Sequence, residues 1–93
     1  MKNYKLYSIT KTYDAGKKQF LETELNERNA DEMEVLKTYF LIKEKLVFNA
    51  NASYRLSTLN YFSDGTITEL KYTVKIERGE KVTRTAYYYK LVK

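Results

Sequence analysis

Apolar and polar residues alternate most regularly over residues 67–77. There Leu70, Tyr72, Val74 and Ile76 fall on one side and Glu69, Lys71, Thr73, Lys75 and Glu77 on the other. A period of two marks a strand with one covered and one wetted face, as antiparallel sheets have. The same pattern reading, with turn residues between the runs, predicts four more strands, at residues 5–13, 18–25, 54–62 and 81–92. Between the second and third of these the period lengthens. On a helical projection Met33, Leu36, Phe40 and Val47 form one stripe, and Val35, Tyr39, Ile42 and Leu46 form a second beside it. Glu32 and Lys43 lie between the stripes, while Lys37, Thr38, Glu44 and Lys45 face away. So broad an apolar arc predicts a helix buried over about half its circumference against a sheet. Asn29 with Glu32 approximates a capping box, and Asp31 with Glu34 is the alternative start. The acidic first turn suits the positive end of the helix dipole, and residues 49–53 end the helix.

The three glycines punctuate this pattern, and the chain has no proline. Each stands third in a triplet between strands: Asp14-Ala15-Gly16, Ser63-Asp64-Gly65 and Glu77-Arg78-Gly79. That is the place where a three-residue hairpin loop, a type I turn closed by a G1 bulge, needs a residue at positive φ. The expected fold is α+β, a single domain over residues 1–93 in the order β-β-α-β-β-β. A five-stranded, mainly antiparallel sheet carries one helix packed on one face. Without proline, strand edges rely on lysines and bulges for protection, and an unprotected edge could pair with a second copy to form a homodimer.

Composition narrows the chemistry. A chain of 93 residues supports one thin core and no deep cavity. It has no His and no Cys, which removes Ser-His and Cys-His nucleophiles, thiolates, nitrogen or sulfur metal ligands, and disulfides. No cofactor or metal is expected. The acidic stretch Glu22, Glu24, Glu27, Asp31, Glu32 and Glu34 lacks the spacing of a calcium loop. It reads as a solvated strand-to-helix connection, with a patch for a basic partner as the sharper alternative. Paired carboxylates need a cleft to catalyse, and no spacing selects a Ser-Lys pair among Ser53, Ser57 and Ser63. The expectation is a protein without enzymatic activity. No apolar leader follows the first residues, and the most apolar run, Tyr39-Phe40-Leu41-Ile42, meets Lys43, Glu44 and Lys45, so neither a signal peptide nor a membrane span is expected. These features predict a soluble, cytoplasmic protein that does not engage membranes.

Charge is uneven. The 17 Lys+Arg exceed the 12 Asp+Glu for a net +5, and residues 51–93 carry eight of those cations, four acids and six of the ten tyrosines. The face bearing Lys71 and Lys75 is therefore the candidate binding surface. Its other members depend on hairpin register, because a one-residue slip exchanges the two faces of a strand. A three-residue loop adds Lys81, Tyr87 and Tyr89 and is preferred, since it sets Val74 near Val82 and Leu70 near Ala86. A two-residue loop adds Arg84, Tyr88 and Lys90 instead. In either register, cations interleaved with tyrosines can track a phosphate backbone and stack bases, or dock on an acidic protein surface. The plainer reading is that Tyr and Thr favour strands and Lys keeps the sheet soluble. No RNP aromatic motif, GXXG clamp or zinc knuckle is present.

In size and economy the chain resembles small inhibitors encoded by phages and mobile elements, anti-CRISPR proteins among them, and equally many host adaptors; no residue motif carries the likeness. The resemblance implies steric blocking of a nucleic-acid-processing complex in the host cytoplasm, through an acidic protein groove or exposed nucleic acid. The alternative is a module that binds single-stranded DNA or RNA directly. A net positive charge has the wrong sign for phosphate mimicry.

Overall fold

The computed structural model describes residues 2–45 and 51–92. The chain runs β1 (Asn3–Asp14), β2 (Gln19–Asp31), α1 (Glu32–Lys43), β3 (Ala52–Tyr61), β4 (Ile67–Arg78) and β5 (Lys81–Leu91). The strands form one five-stranded sheet in the order β2-β1-β5-β4-β3, and every neighbouring pair is antiparallel. This is an α+β fold. The first and last strands meet in its interior, which leaves β2 and β3 as the edges. The helix takes the chain from one edge to the other across a single face.

Asp31 starts that helix. Its carboxylate accepts the Glu34 N–H at 2.8 Å, so it is the N-cap, a contact worth about 1 kcal/mol. Asn29 is not the cap, because it pairs with Lys5 inside the sheet. β2 continues past residue 25 because Tyr4 and Leu6 of β1 demand partners, and Ala30 and Arg28 supply them. Only one of the two apolar stripes faces the sheet. Val35 is fully buried and Tyr39 packs against the core, whereas Met33 (73% exposed), Leu36 (46%) and Phe40 (53%) point outward. A helix resting on a single layer covers one narrow strip, so the half-circumference burial expected from the sequence does not occur. Leu46, Val47, Asn49 and Ala50 lie outside the described residues.

The core joins Val35 to Tyr4, Leu6, Ala30, Ile67, Leu70 and Tyr89. The Tyr4 hydroxyl donates to the Ile67 carbonyl at 2.7 Å, which satisfies a polar atom beneath the helix. The molecule is a plate of 48 × 26 × 17 Å. Its 6846 Å² of accessible surface exceeds the roughly 5,700 Å² of a typical monomer of this mass. Among the described residues, no helix is long and apolar enough to cross a membrane.

The three glycines lie in three loops of different geometry. Gly65, at φ +91°, closes a reverse turn in which its N–H donates to the Phe62 carbonyl at 2.9 Å, as its triplet predicts. Gly79, at φ +61°, is the first residue of a two-residue loop, since Arg78 faces Lys81 directly. Positive φ at that place and not at Glu80 is the type II′ pattern, whose twist matches a hairpin. The three-residue register preferred from sequence is therefore incorrect. The shorter loop sets Leu70 against Tyr89, which is already paired with Leu6, and so gathers three buried side chains in one row. Gly16 has no positive φ, and Lys18 takes that role at φ +53° in a four-residue loop. A Cβ on Gly16 would meet only the Glu80 carboxylate, the far end of an exposed side chain that can swing aside, and next to it the Ala15 N–H donates to the Glu80 carbonyl at 2.7 Å.

Candidate binding face

Antiparallel pairing puts directly opposed residues on the same face, so the ladders define both surfaces row by row. On the helix-free face three rows run across β2, β1, β5 and β4 in turn. They read Glu27–Tyr7–Tyr88–Lys71, Leu25–Ile9–Ala86–Thr73 and Thr23–Lys11–Arg84–Lys75. A further row sets Lys5 beside Lys90 and Glu69, and Arg55 of β3 lies opposite Thr73. Lys5, Lys11, Arg55, Lys71, Lys75, Arg84 and Lys90 thus share this face with Glu27, Glu69, Glu77 and, at its corner, the helix-capping Asp31. The strands' charges on the helix side balance, with Arg28, Arg78 and Lys81 against Asp14, Glu22 and Glu24. The protein's positive excess is therefore displayed on the bare side of the plate.

The third row is the most unusual part of that face. Lys11, Arg84 and Lys75 stand side by side on adjacent strands, and like charges in direct opposition destabilise a sheet. Glu77 offers partial relief. It bonds Lys75 at 2.8 Å, and that bond, with Arg84 nearby, holds the Glu77 carboxyl below the usual carboxylate range. Lys11 and Arg84 form no ion pair among the described residues. Beside the row lies an open depression of about 600 Å³, lined by Lys11, Lys75 and Arg84 and by the apolar surfaces of Tyr13, Phe20 and Val82. Phe20 is 71% exposed and lies 5.1 Å from Tyr13, ring centre to ring centre. A β-bulge at Leu21 positions it there, because the extra residue turns Phe20 onto the face of Tyr13.

The other half of the face is more self-contained. The Lys71 ammonium sits over the Tyr88 ring, 4.6 Å from its centre, and the Tyr88 hydroxyl donates to Glu69 at 3.1 Å. Partial burial, with that carboxylate second, raises the Tyr88 hydroxyl's pKa. Tyr7 packs beside the same ring at 5.9 Å, and Lys5 pairs with Glu27 at 2.9 Å.

Of the residues expected at the site, Lys71, Lys75, Arg84, Tyr88 and Lys90 share this face. Lys81, Tyr87 and Tyr89 do not, because the two-residue loop turns them to the helix side. Tyr89 is a core residue, 2% exposed, and its hydroxyl donates to Glu34 under the helix. Burial, with Glu34 second, pushes its pKa up to about 12. Tyr87 stacks on Tyr72 at 4.7 Å, and Lys81 is exposed beside Arg78. Lys5, Tyr7, Lys11, Tyr13 and Phe20 join the face although the last three strands alone drew attention in the sequence. Their period-two spacing from Lys5 to Tyr13 is visible there; the neighbouring position of β1 and β5 is not. The acidic stretch is largely occupied locally. Asp31 caps the helix, Glu32 pairs with Lys2, Glu27 with Lys5, and Glu34 takes both guanidinium nitrogens of Arg28 at 2.7 and 2.8 Å. Ser53 lies opposite Lys75, but on an open edge with its neighbouring ammonium already engaged by Glu77. Comparison with protein-family models, curated proteins and solved structures found no match for this chain.

Proposed function

We propose that this chain is a non-catalytic binding protein that docks on a nucleic-acid-processing complex through its helix-free face and grips single-stranded nucleic acid exposed there. The observation that carries the reading is the row Lys11–Arg84–Lys75 beside an apolar depression. Three cations in direct opposition lower the stability of a free sheet, and a ligand's phosphates relieve that repulsion. Phe20 and Tyr13, at the margin of the row, offer rings on which bases stack without regard to sequence, at about 1–3 kcal/mol per base. A plate that occupies such a strand acts by steric exclusion, as a small inhibitor of a mobile element would.

The test is binding of a mixed-sequence single-stranded oligonucleotide followed across a salt series. Neutralisation of three phosphates predicts a slope of about −2 in log K against log salt. Absence of binding at low salt refutes phosphate recognition. A second reading, docking on an acidic protein groove, is favoured by the pairing of Lys71 with Tyr88 and Glu69, which resembles the mixed aromatic and charged composition of protein interfaces. Under that reading the slope is shallow and the oligonucleotide does not compete with the partner.

A further inference from the structure

The β2 edge is the longer and more regular of the sheet's two open edges. It is 13 residues long, exposed at every position except Ala30, and contains neither Lys nor Pro. Its bulge at Leu21 lies near one end, so Glu22–Arg28 is a regular seven-residue stretch with one side unpaired. The opposite edge, β3, is interrupted near its middle by the bulge at Ser57. Unpaired edges of this kind are templates for another strand, and the question is which strand fits.

The sequence of β2 answers it. Two identical strands pair antiparallel about a two-fold axis normal to the sheet only if one residue faces its own copy, since otherwise the two faces would be exchanged. Placing Glu22, Glu24 or Glu27 on the axis opposes identical carboxylates, Thr23 on the axis opposes Glu22 to Glu24, and Arg28 opposes two cations. Leu25 on the axis removes every such clash. It sets Glu22 against Arg28, Thr23 against Glu27 and Glu24 against Asn26. It also makes the whole strand overlap, Gln19 to Asp31. Asn26 on the axis avoids the clashes too, but it sets Leu25 against Glu27. Leu25 is 71% exposed and neighbours Ile9, itself 42% exposed, on the same face, so the pairing buries a continuous Ile9–Leu25–Leu25–Ile9 row. Arg28 is 56% exposed and held in place by Glu34 on its own chain.

We propose that two copies of this chain pair antiparallel through their β2 edges, with Leu25 on the two-fold axis and each Glu22 facing the partner's Arg28. The product is a ten-stranded sheet. Because the axis is normal to the sheet, both cationic faces lie on the same side and form one continuous surface. The pairing stands independently of what that surface binds.

Light scattering over a concentration series tests the pairing, with a mass of twice 11.1 kDa expected. Leu25→Lys opposes two ammonium groups on the axis in place of two leucines and should weaken the dimer about tenfold or more. Circular dichroism of that variant should be unchanged, because Leu25 makes no core contact. Since the chain contains no cysteine, Leu25→Cys introduces a single thiol that two-fold pairing places within disulfide range of its copy, at a Cα separation of roughly 4.5–5.5 Å. Rapid oxidation of Leu25→Cys to a covalent dimer, with Ser53→Cys on the β3 edge staying monomeric, supports the proposal. A monomer at every concentration, a dimer indifferent to Leu25→Lys, equal cross-linking at both edges, or assemblies that grow without limit would each overturn it.

Discussion

Replacing Arg84 by glutamine removes the middle charge of a row whose neighbours, Lys11 and Lys75, lie directly opposite on the adjoining strands. At charge separations of about 6–7 Å in water, each of the two pairs costs about 0.6 kcal/mol before screening. At about 0.1 M salt the Debye length of about 10 Å halves that. The lost attraction to Glu77 offsets part of the relief, since Arg84 helps hold that carboxyl ionised. The net expectation is a gain of about 0.5–1 kcal/mol at low salt, or a rise of about 2–6 °C in Tm for a domain of this size. The assay is thermal unfolding of both proteins at low salt and again near 1 M, where a Debye length of about 3 Å should abolish the difference. A variant less stable than the parent at low salt, or a gain of equal size at both salt concentrations, refutes the repulsive row. Loss of ligand binding in a variant that is more stable than its parent would be the signature of a site kept at the expense of the fold.

Three further outcomes follow from the geometry. Asp31→Ala should lower unfolding free energy by about 1 kcal/mol in a denaturant titration, because it deprives the Glu34 N–H of its acceptor. Gly79→Ala should cost about 1–2 kcal/mol in the same assay, because a Cβ is strained at φ +61° although no neighbouring atom obstructs it. Alkaline pH should destabilise the fold in a defined window. Burial raises the pKa of Tyr4, Tyr72 and Tyr89, the last to about 12, so the folded state holds these protons more tightly than the unfolded chain. That contribution is intact below about pH 10 and is lost as pH climbs through the folded-state values, so Tm should be flat to about pH 10 and fall beyond it.

What the sequence reveals and what it hides differ by range of interaction. The face of β4 is legible from residues 67–77 alone, because alternation is local and Leu70 and Val74 lie under the helix as their positions require. The cap at Asp31 is equally local. The register of the β4–β5 hairpin is not, since Gly79 can close a loop of two residues or three. The decision falls to Tyr89, which finds its place between Leu70 and Leu6, the latter more than eighty residues away along the chain. The same long-range pairing of β1 with β5 brings Lys11 beside Arg84 and so creates the cationic row. Sequence shows the cations individually, and only the order β2-β1-β5-β4-β3 makes them neighbours. The exposed stripe Met33–Leu36–Phe40 is the converse case, where helical periodicity promises burial that a one-layer sheet cannot provide.

The central claim is that the side of the plate opposite the helix is the working surface. Mapping backbone amide shifts on titration with a single-stranded oligonucleotide addresses it residue by residue. The account predicts changes concentrated at Lys11, Tyr13, Phe20, Lys75, Val82 and Arg84, with α1 and Lys81 silent. Changes centred on the helix or on the Arg78–Lys81 side of the sheet would contradict it.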